Sequence, residues 1–441
     1  MPRSILHQRL DVIRPIKIHG RVSRAVGLTI EGTGPVSSIG QRCQIVSQYG
    51  DIVEAEVVGF RDDRVLVMPL GEVRGIGPGN RLIYHQDSPE VEVGFGLLGR
   101  ILDGMGHPLD GKGPIASSVS YPLYSPSLNP LHRVRITDPL DLGIRAINGL
   151  LTCGNGQKLG IFAGSGVGKS VLLGMMCRQT AADVTVLALI GERGREVKEF
   201  IEKELGPEGL QRTVVIAATS DQPPLVRLRG AFIATAIAEY FRDQGKHVLL
   251  LMDSLTRVGH AQREVGLAVG EPPTSKGYPP SVFTVLPRLL ERVGPTAKGA
   301  VTGLYTVLVE GDDLADPVAD FARAILDGHI VLSRDLASHG HFPAIDILQS
   351  VSRVMPDITE PAHLESARAL MELMALYRNA EDLINLGAYR SGSNARLDLA
   401  VSMMDPITNF LRQGISERAD LATSLQTLYQ LVEQAKALRG T

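Results

Sequence analysis

Three sets of residues in this chain have the types and spacing needed to hold a nucleoside triphosphate and direct water at it. The first is the loop Gly164-Ser165-Gly166-Val167-Gly168 followed by Lys169-Ser170. It is preceded by the apolar run Leu159–Ala163 and followed by apolar residues at helical spacing, Val171, Leu172 and Met175. A strand feeding a glycine-rich loop feeding a helix is the context of a P-loop. The glycines permit positive φ and close backbone approach, so successive N–H groups can face phosphate oxygens, and the helix N-terminus adds partial positive charge. Lys169 is then expected on the β- and γ-phosphates, with the Ser170 hydroxyl on Mg²⁺. The first position of the pattern is Ala163 rather than glycine, a place that shapes the turn more than it touches phosphate.

The second set follows the apolar run Val184–Ile190, where Gly191-Glu192-Arg193-Gly194-Arg195-Glu196 begins. A carboxylate just past a parallel strand stands at the mouth where such sheets bind ligands. Glu192 is the expected residue to orient or polarise the attacking water, and Glu196 the acid complementing a helix N-terminus. The third set is His247–Met252 with Asp253-Ser254, an apolar strand ending in an aspartate, expected on the Mg²⁺ shell. Asp312 and Asp313 follow the strand candidate Val301–Val309, where a turn role and a supporting role at the site are both open. His339 and His341 flank a glycine and lack a third ligand at metal spacing.

The elements that must position these residues follow from pattern. The chain has 441 residues, 44% hydrophobic, long enough for two or three domains. Its net charge of −3 gives no overall pull toward nucleic acid. There is no apolar run long enough to span a bilayer and no signal peptide in the basic, charge-interrupted N-terminus; Cys43, Cys153 and Cys177 lack metal-ligand spacing and read as reduced thiols of a cytoplasmic protein. Residues 1–14 suit a short basic amphipathic helix, either docking on a partner or an acidic membrane or fraying as a solvated terminus. Short β-rich runs to about Val93 predict a small closed barrel whose scattered Tyr49, Phe60 and Tyr84 make no nucleic-acid stacking surface.

Glycine and proline dominate from Gly94 to Pro130, which reads as a linker ordered by turns. Strand candidates at Leu159–Ala163, Val184–Ile190, Thr213–Ala218, His247–Met252 and Val301–Val309 alternate with helices at Ser170–Ala181, Glu196–Leu205, Pro224–Gln244 and Pro280–Arg292. That alternation predicts an α/β core, a parallel sheet covered on both faces. From Pro361 the pattern is helical, with expected breaks at Gly387–Gly392 and at Pro406. The predicted division is a basic helix and barrel over residues 1–93, a P-loop core over 94–360 and a helical unit over 361–441.

The long segments Gly191–Glu202, Leu249–Gly294 and Val307–Met355 resemble the type III protein-export ATPases, with the flagellum-specific branch nearest and the injectisome ATPases as cousins. These are relatives of the catalytic subunit of rotary ATP synthases. The resemblance runs from about Gly20 onward and implies a RecA-like core hydrolysing ATP with Mg²⁺. It places Lys169, Ser170, Glu192 and Asp253 on that family's phosphate-, magnesium-, catalytic and strand-end positions. Arg353, in Ser350-Val351-Ser352-Arg353, matches the arginine that reaches into the neighbouring subunit's site, where the residue alone would equally suit a structural ion pair. Phe342 stands where the family has a tyrosine near the adenine, and stacking needs only the ring.

The resemblance further implies a homohexamer, a regulatory stator-like protein at the N-terminus, and export-gate membrane proteins. It also implies chaperones and substrates at the C-terminal helices around Gly387–Asn394, and a cytoplasmic location peripheral to the inner-membrane export apparatus. The alternatives are an injectisome ATPase, a rotary-synthase head subunit and an RNA-translocating hexamer. The near-neutral barrel disfavours the last, and no nucleic acid is expected as a partner.

Overall fold

The computed structural model describes residues 19–34, 37–85, 89–116, 118–309 and 316–439. The expected basic helix at residues 1–14 and the carboxylates Asp312 and Asp313 lie outside the described residues.

Six strands close the N-terminal barrel: β1 (His19–Val26), β2 (Thr29–Thr33), β3 (Arg42–Val46), β4 (Ile52–Arg61), β5 (Arg64–Pro69) and β6 (Arg81–Tyr84), in the order β1-β2-β5-β4-β3-β6. β6 supplies the closure by pairing with both β1 and β3. Inward residues, among them Val22, Ile45, Ala55, Val57, Val67 and Leu82, fill the interior. Such a barrel is a packed core.

The segment expected to be a turn-ordered linker does more than link. It contains β8 (Ile101–Asp103) and β9 (Val119–Pro122); β9 pairs with β7 (Glu90–Val93), just before the segment, and β8 joins the main sheet. A buried pair fixes that edge strand, with Arg100 Nε donating to Asp110 Oδ2 at 2.7 Å. Three residues between glycine- and proline-rich turns leave no periodic signal.

The main sheet adds β10 (Lys158–Ala163), β11 (Val184–Ile190), β12 (Thr213–Ala218), β13 (His247–Asp253), β14 (Ala300–Leu308), β15 (Gly328–Leu332) and β16 (Ile345–Ser352). Its order is β16-β15-β10-β14-β13-β11-β12-β8, parallel except for β16. Helices follow as α1 (Arg145–Leu150), α2 (Lys169–Gln179), α3 (Gly194–Glu199), α4 (Gly206–Gln211), α5 (Pro224–Asp243), α6 (Leu255–Val269), α7 (Pro280–Leu290), α8 (Pro317–Ile325) and α9 (Arg334–Ser338). The C-terminal set is α10 (Met355–Ile358), α11 (Pro361–Asn385), α12 (Ala395–Leu411) and α13 (Leu421–Arg439).

Every residue of β10, β11 and β12 is buried, the reading of parallel strands covered on both faces. Period-two alternation then divides the core. Val248, Leu250 and Met252 of β13 face the layer of α5, while Leu249 and Leu251 face the layer of α2 and the C-terminal helices.

Two helical expectations need correction. The helix foreseen at Glu196–Leu205 begins at Gly194 and passes into a π-helical stretch over Phe200–Leu205. Pro406, foreseen as a break, lies inside α12, where buried Met403, Ile407 and Phe410 hold the helix to the core across the missing N–H. No helix among the described residues is long and apolar enough to cross a membrane.

One buried ion pair ties α5, the segment after α7 and the β9 strand-end together. Arg292 Nε donates to Glu239 Oε1 at 2.9 Å, a second guanidinium N–H pairs with Glu239 Oε2, and Nη1 donates to the Leu123 carbonyl at 2.7 Å. Arg292→Met strands Glu239 without a partner and is expected to cost about 3–5 kcal/mol, read as a lowered urea midpoint. The double replacement Glu239→Leu/Arg292→Met is expected to lose clearly less than the single one.

Candidate active site

The site is built at the C-terminal edge of the parallel strands. β10 lies between β14 and β15 and releases the chain at Ala163. Gly166 and Gly168 have φ of 80° and 88°, open to glycine, so the loop can turn its N–H groups inward. α2 starts directly at Lys169 with Gly168 as its N-cap and no capping side chain, which leaves its first N–H groups for an anion.

Lys169 Nζ donates to Asp253 Oδ1 at 2.5 Å and lies 3.6 Å from Glu192 Oε1. The hydroxyl of Thr306, on β14 beside the end of β13, donates to the same Asp253 oxygen at 2.6 Å. Glu192 follows β11 through Gly191, whose φ is 72° and whose N–H donates to the Ala218 carbonyl at 2.6 Å. The Glu192 carbonyl accepts from Ser220 N–H at 3.0 Å, so the main chain on both sides of this residue is fixed to the segment after β12. The side chain is largely shielded. Burial first, and the negative charge of Asp253 second, push its carboxyl up to about 7, against the pull of Lys169. A carboxyl poised near neutrality is suited to taking a proton from water.

These residues open on a cleft of about 620 Å³ bounded by the P-loop, Glu192, Arg193, Arg257, Leu308 and Arg334. Ser170 lines it in the first turn of α2. The hydroxyl and the carboxylate of Asp253 are hard oxygen donors, the set that suits Mg²⁺ rather than a softer metal.

Phe342 and Arg353 are placed differently. The Phe342 ring is half-exposed and rests against the P-loop: a Cβ on Gly168 would stand 3.4 Å from two of its ring carbons. Arg353 is at the other end of the sheet. β10 and β15 run in parallel with Ala163 opposite Leu332, but antiparallel β16 returns so that Ser352 pairs with Gly328. Four strand residues separate those ends, about 13 Å at 3.3 Å per residue. Arg353 is exposed there, its N–H donating to the Asp327 carbonyl at 3.0 Å and its guanidinium to the Arg323 carbonyl at 3.1 Å. The structure thus brings Lys169, Ser170 and Glu192 to one cleft, with Asp253 bonded to Lys169 and the Phe342 ring beside Gly168, and keeps Arg353 away from it.

Sequence reasoning overlooked Thr306, Arg257 and Arg334. Thr306 carried a signal, a hydroxyl in the otherwise apolar end of β14; Arg257, four positions after Asp253 at a helix start, carried another.

Residues 143–352 match the nucleotide-binding domain of the ATP synthase alpha/beta family, and residues 359–430 match the T3SS EscN ATPase C-terminal domain. The chain is 52% identical over 430 residues to the Flagellum-specific ATP synthase of Bacillus subtilis, covering 96% of this chain and 97% of that one. It superposes on the assembled ATPase EscN of the enteropathogenic E. coli type III secretion system with a TM-score of 0.89 and 46% identity, over 94% of this chain and 100% of the other. The same ATPase in complex with its central stalk EscO gives 0.87 and 45%, with the same coverage of both chains.

The raised Glu192 carboxyl has a measurable sign. Between the usual value of 4.5 and about 7 the unfolded chain ionises this group while the folded chain keeps its proton, so ionisation favours unfolding. Relative to the parent, Glu192→Gln is therefore expected to gain thermal stability as pH rises from about 4.5 to 7 and to hold that gain above it. Melting temperatures across pH 4–8 check this; a difference that stays flat with pH would remove the raised carboxyl.

Proposed function

This chain belongs to the ATPases of the flagellar and type III secretion systems, and from that membership and the geometry above we propose how it works: as a homohexameric ring whose ATP hydrolysis energises type III protein export, with flagellar substrates as cargo. The observation that carries this reading is the pairing of a complete floor, Lys169 with Asp253 and Glu192, with an arginine held at the far end of the same sheet.

In this mechanism the P-loop N–H groups and Lys169 take the β- and γ-phosphates, Lys169 exchanging the Asp253 carboxylate for phosphate oxygen. Ser170 and Asp253 are the residues that would hold Mg²⁺, which supplies charge neutralisation between those phosphates. Phe342 offers its exposed ring to the adenine. Glu192 orients the water and accepts its proton. Arg257, lining the cleft from the start of α6, adds a cation beside the γ-phosphate. Arg353 cannot serve its own cleft, and across a ring interface its guanidinium would meet the charge developing on a neighbour's γ-phosphate. Each subunit then completes the next one's site.

The likeness to EscN bound to its stalk supports a stalk-like partner in the ring, and the match over residues 359–430 supports an export ATPase over a rotary-synthase head. The 52% identity over 430 residues to the flagellum-specific Bacillus relative is the support for flagellar cargo. We assign a basic helix and barrel unit to residues 1–93, with the stator-like regulator at its N-terminus. The nucleotide core takes 94–360. The helical unit, 361–441, would meet chaperones and substrates. The ring would dock peripherally on the membrane export gate from the cytoplasm.

The test is ATPase rate per subunit against protein concentration, with native mass measurement alongside. The rate is expected to climb as hexamers form. Glu192→Gln is expected to bind ATP while losing on the order of 10²–10⁴-fold in turnover. Arg353→Ala is expected to form rings yet lose the concentration-dependent part of the rate, on the order of a thousandfold. A rate that stays flat with concentration, or needs a second homologous chain, would reject the self-completing ring.

A further inference from the structure

The loop joining α12 to α13 lies on the core and bonds both to the main chain of Phe342 and to the last turn of the P-loop helix. Gln413, in that loop, is 5% exposed. Its main-chain N–H donates to the Phe342 carbonyl at 3.0 Å. Its side chain is engaged at both ends: Oε1 accepts from Arg145 N–H at 2.8 Å, and Nε2 donates to the carbonyls of Gly143 at 2.8 Å and Glu417 at 3.0 Å. Arg145 in turn pairs with Glu417 and donates to the carbonyls of Phe410 and Arg412 at 3.2 and 3.1 Å.

The same loop grips the far end of the P-loop helix. Arg178 donates to the Ile415 carbonyl at 3.2 Å, and Gln179 Nε2 to the Glu417 carbonyl at 2.9 Å. One segment of the C-terminal helical unit therefore holds the last turn of α2 and the main chain of Phe342, whose ring lies over Gly168 at the first turn of α2.

We propose that Gln413 is a positioning residue for the nucleotide, setting the Phe342 ring relative to the P-loop and making base affinity depend on the placement of the C-terminal helices. The inference rests on the reading of Phe342 as the base platform. Aromatic stacking depends on offset and separation, so a shift of the main chain that carries the ring changes the contact with the base. Removing the Gln413 amide leaves the Gly143 carbonyl and Arg145 N–H buried without partners, and the loop must move to rehydrate them. Whatever pulls on α12 and α13 pulls on this loop, which gives export-side events a route to ATP affinity without touching Lys169, Glu192 or Asp253.

The experiment compares KM for ATP with the inhibition constant of inorganic tripolyphosphate, which presents phosphates and no base. Gln413→Leu fills the volume without the hydrogen bonds; Gln413→Glu keeps the acceptor for Arg145 N–H. KM for ATP is expected to rise about five- to tenfold in Gln413→Leu and less in Gln413→Glu, with the effect in KM rather than kcat and tripolyphosphate inhibition unchanged. Phe342→Ala is expected to raise KM for ATP by itself, and Phe342→Ala/Gln413→Leu to raise it no further. If Gln413→Leu does not fold, Gln413→Glu carries the comparison. An unchanged KM for ATP in the Gln413 variants, with Phe342→Ala raising it, overturns the role of Gln413. So does a tripolyphosphate constant that weakens in step with ATP. An unchanged KM in Phe342→Ala overturns the base-platform reading itself.

Discussion

Two carboxylates share one lysine at the floor of the cleft, and their unequal hold on it sets what each can do. Lys169 sits at 2.5 Å from Asp253 and 3.6 Å from Glu192, so the nearer carboxylate takes the ion pair together with the Thr306 hydroxyl. Glu192 is left with burial and a like charge beside it, and its carboxyl rises to about 7. Environments that differ this way give two acidic groups two tasks: one holds cations, the other handles a proton.

That arrangement needs a scaffold that can bury charge without moving. The parallel sheet supplies it, because β11, β13 and β14 end side by side and hand Glu192, Asp253 and Thr306 to one edge while apolar residues fill both layers beneath. The antiparallel turn-back of β16 has the opposite effect. It carries Arg353 to the far end of the sheet, away from the cleft of its own subunit. The C-terminal helices touch the same machinery through the Gln413 loop, whose main chain bonds to that of Phe342 beside the P-loop.

The chemistry was legible in the sequence where it is local in the chain. The P-loop, Glu192 and Asp253 each follow an apolar strand run within a few residues, so type and spacing sufficed. Thr306 depends on the register of β14 beside β13, and Gln413 on contacts spanning 268 to 270 residues, which no window of sequence contains. Fold errors had the same origin. β8 is three residues long and exists because β12 and the Arg100–Asp110 pair hold it, and α12 continues through Pro406 because its packed face outweighs one lost hydrogen bond. Strands β15 and β16 lack the long apolar runs of the central strands, yet β16 fixes where Arg353 goes.

The central claim is that each site is shared between two subunits, and mixing inactive chains tests it most directly. Subunits carrying Glu192→Gln keep Arg353, and subunits carrying Arg353→Ala keep Glu192. Co-assembled rings contain interfaces at which one chain's Glu192 faces the other's Arg353. ATPase activity, near zero in each variant alone, is expected to reappear on mixing and to be greatest near equal proportions. Rings that form from the mixture but stay inactive at every ratio would contradict a site completed across the interface, and Arg353 would then be a residue that only braces the end of β16 against Arg323 and Asp327.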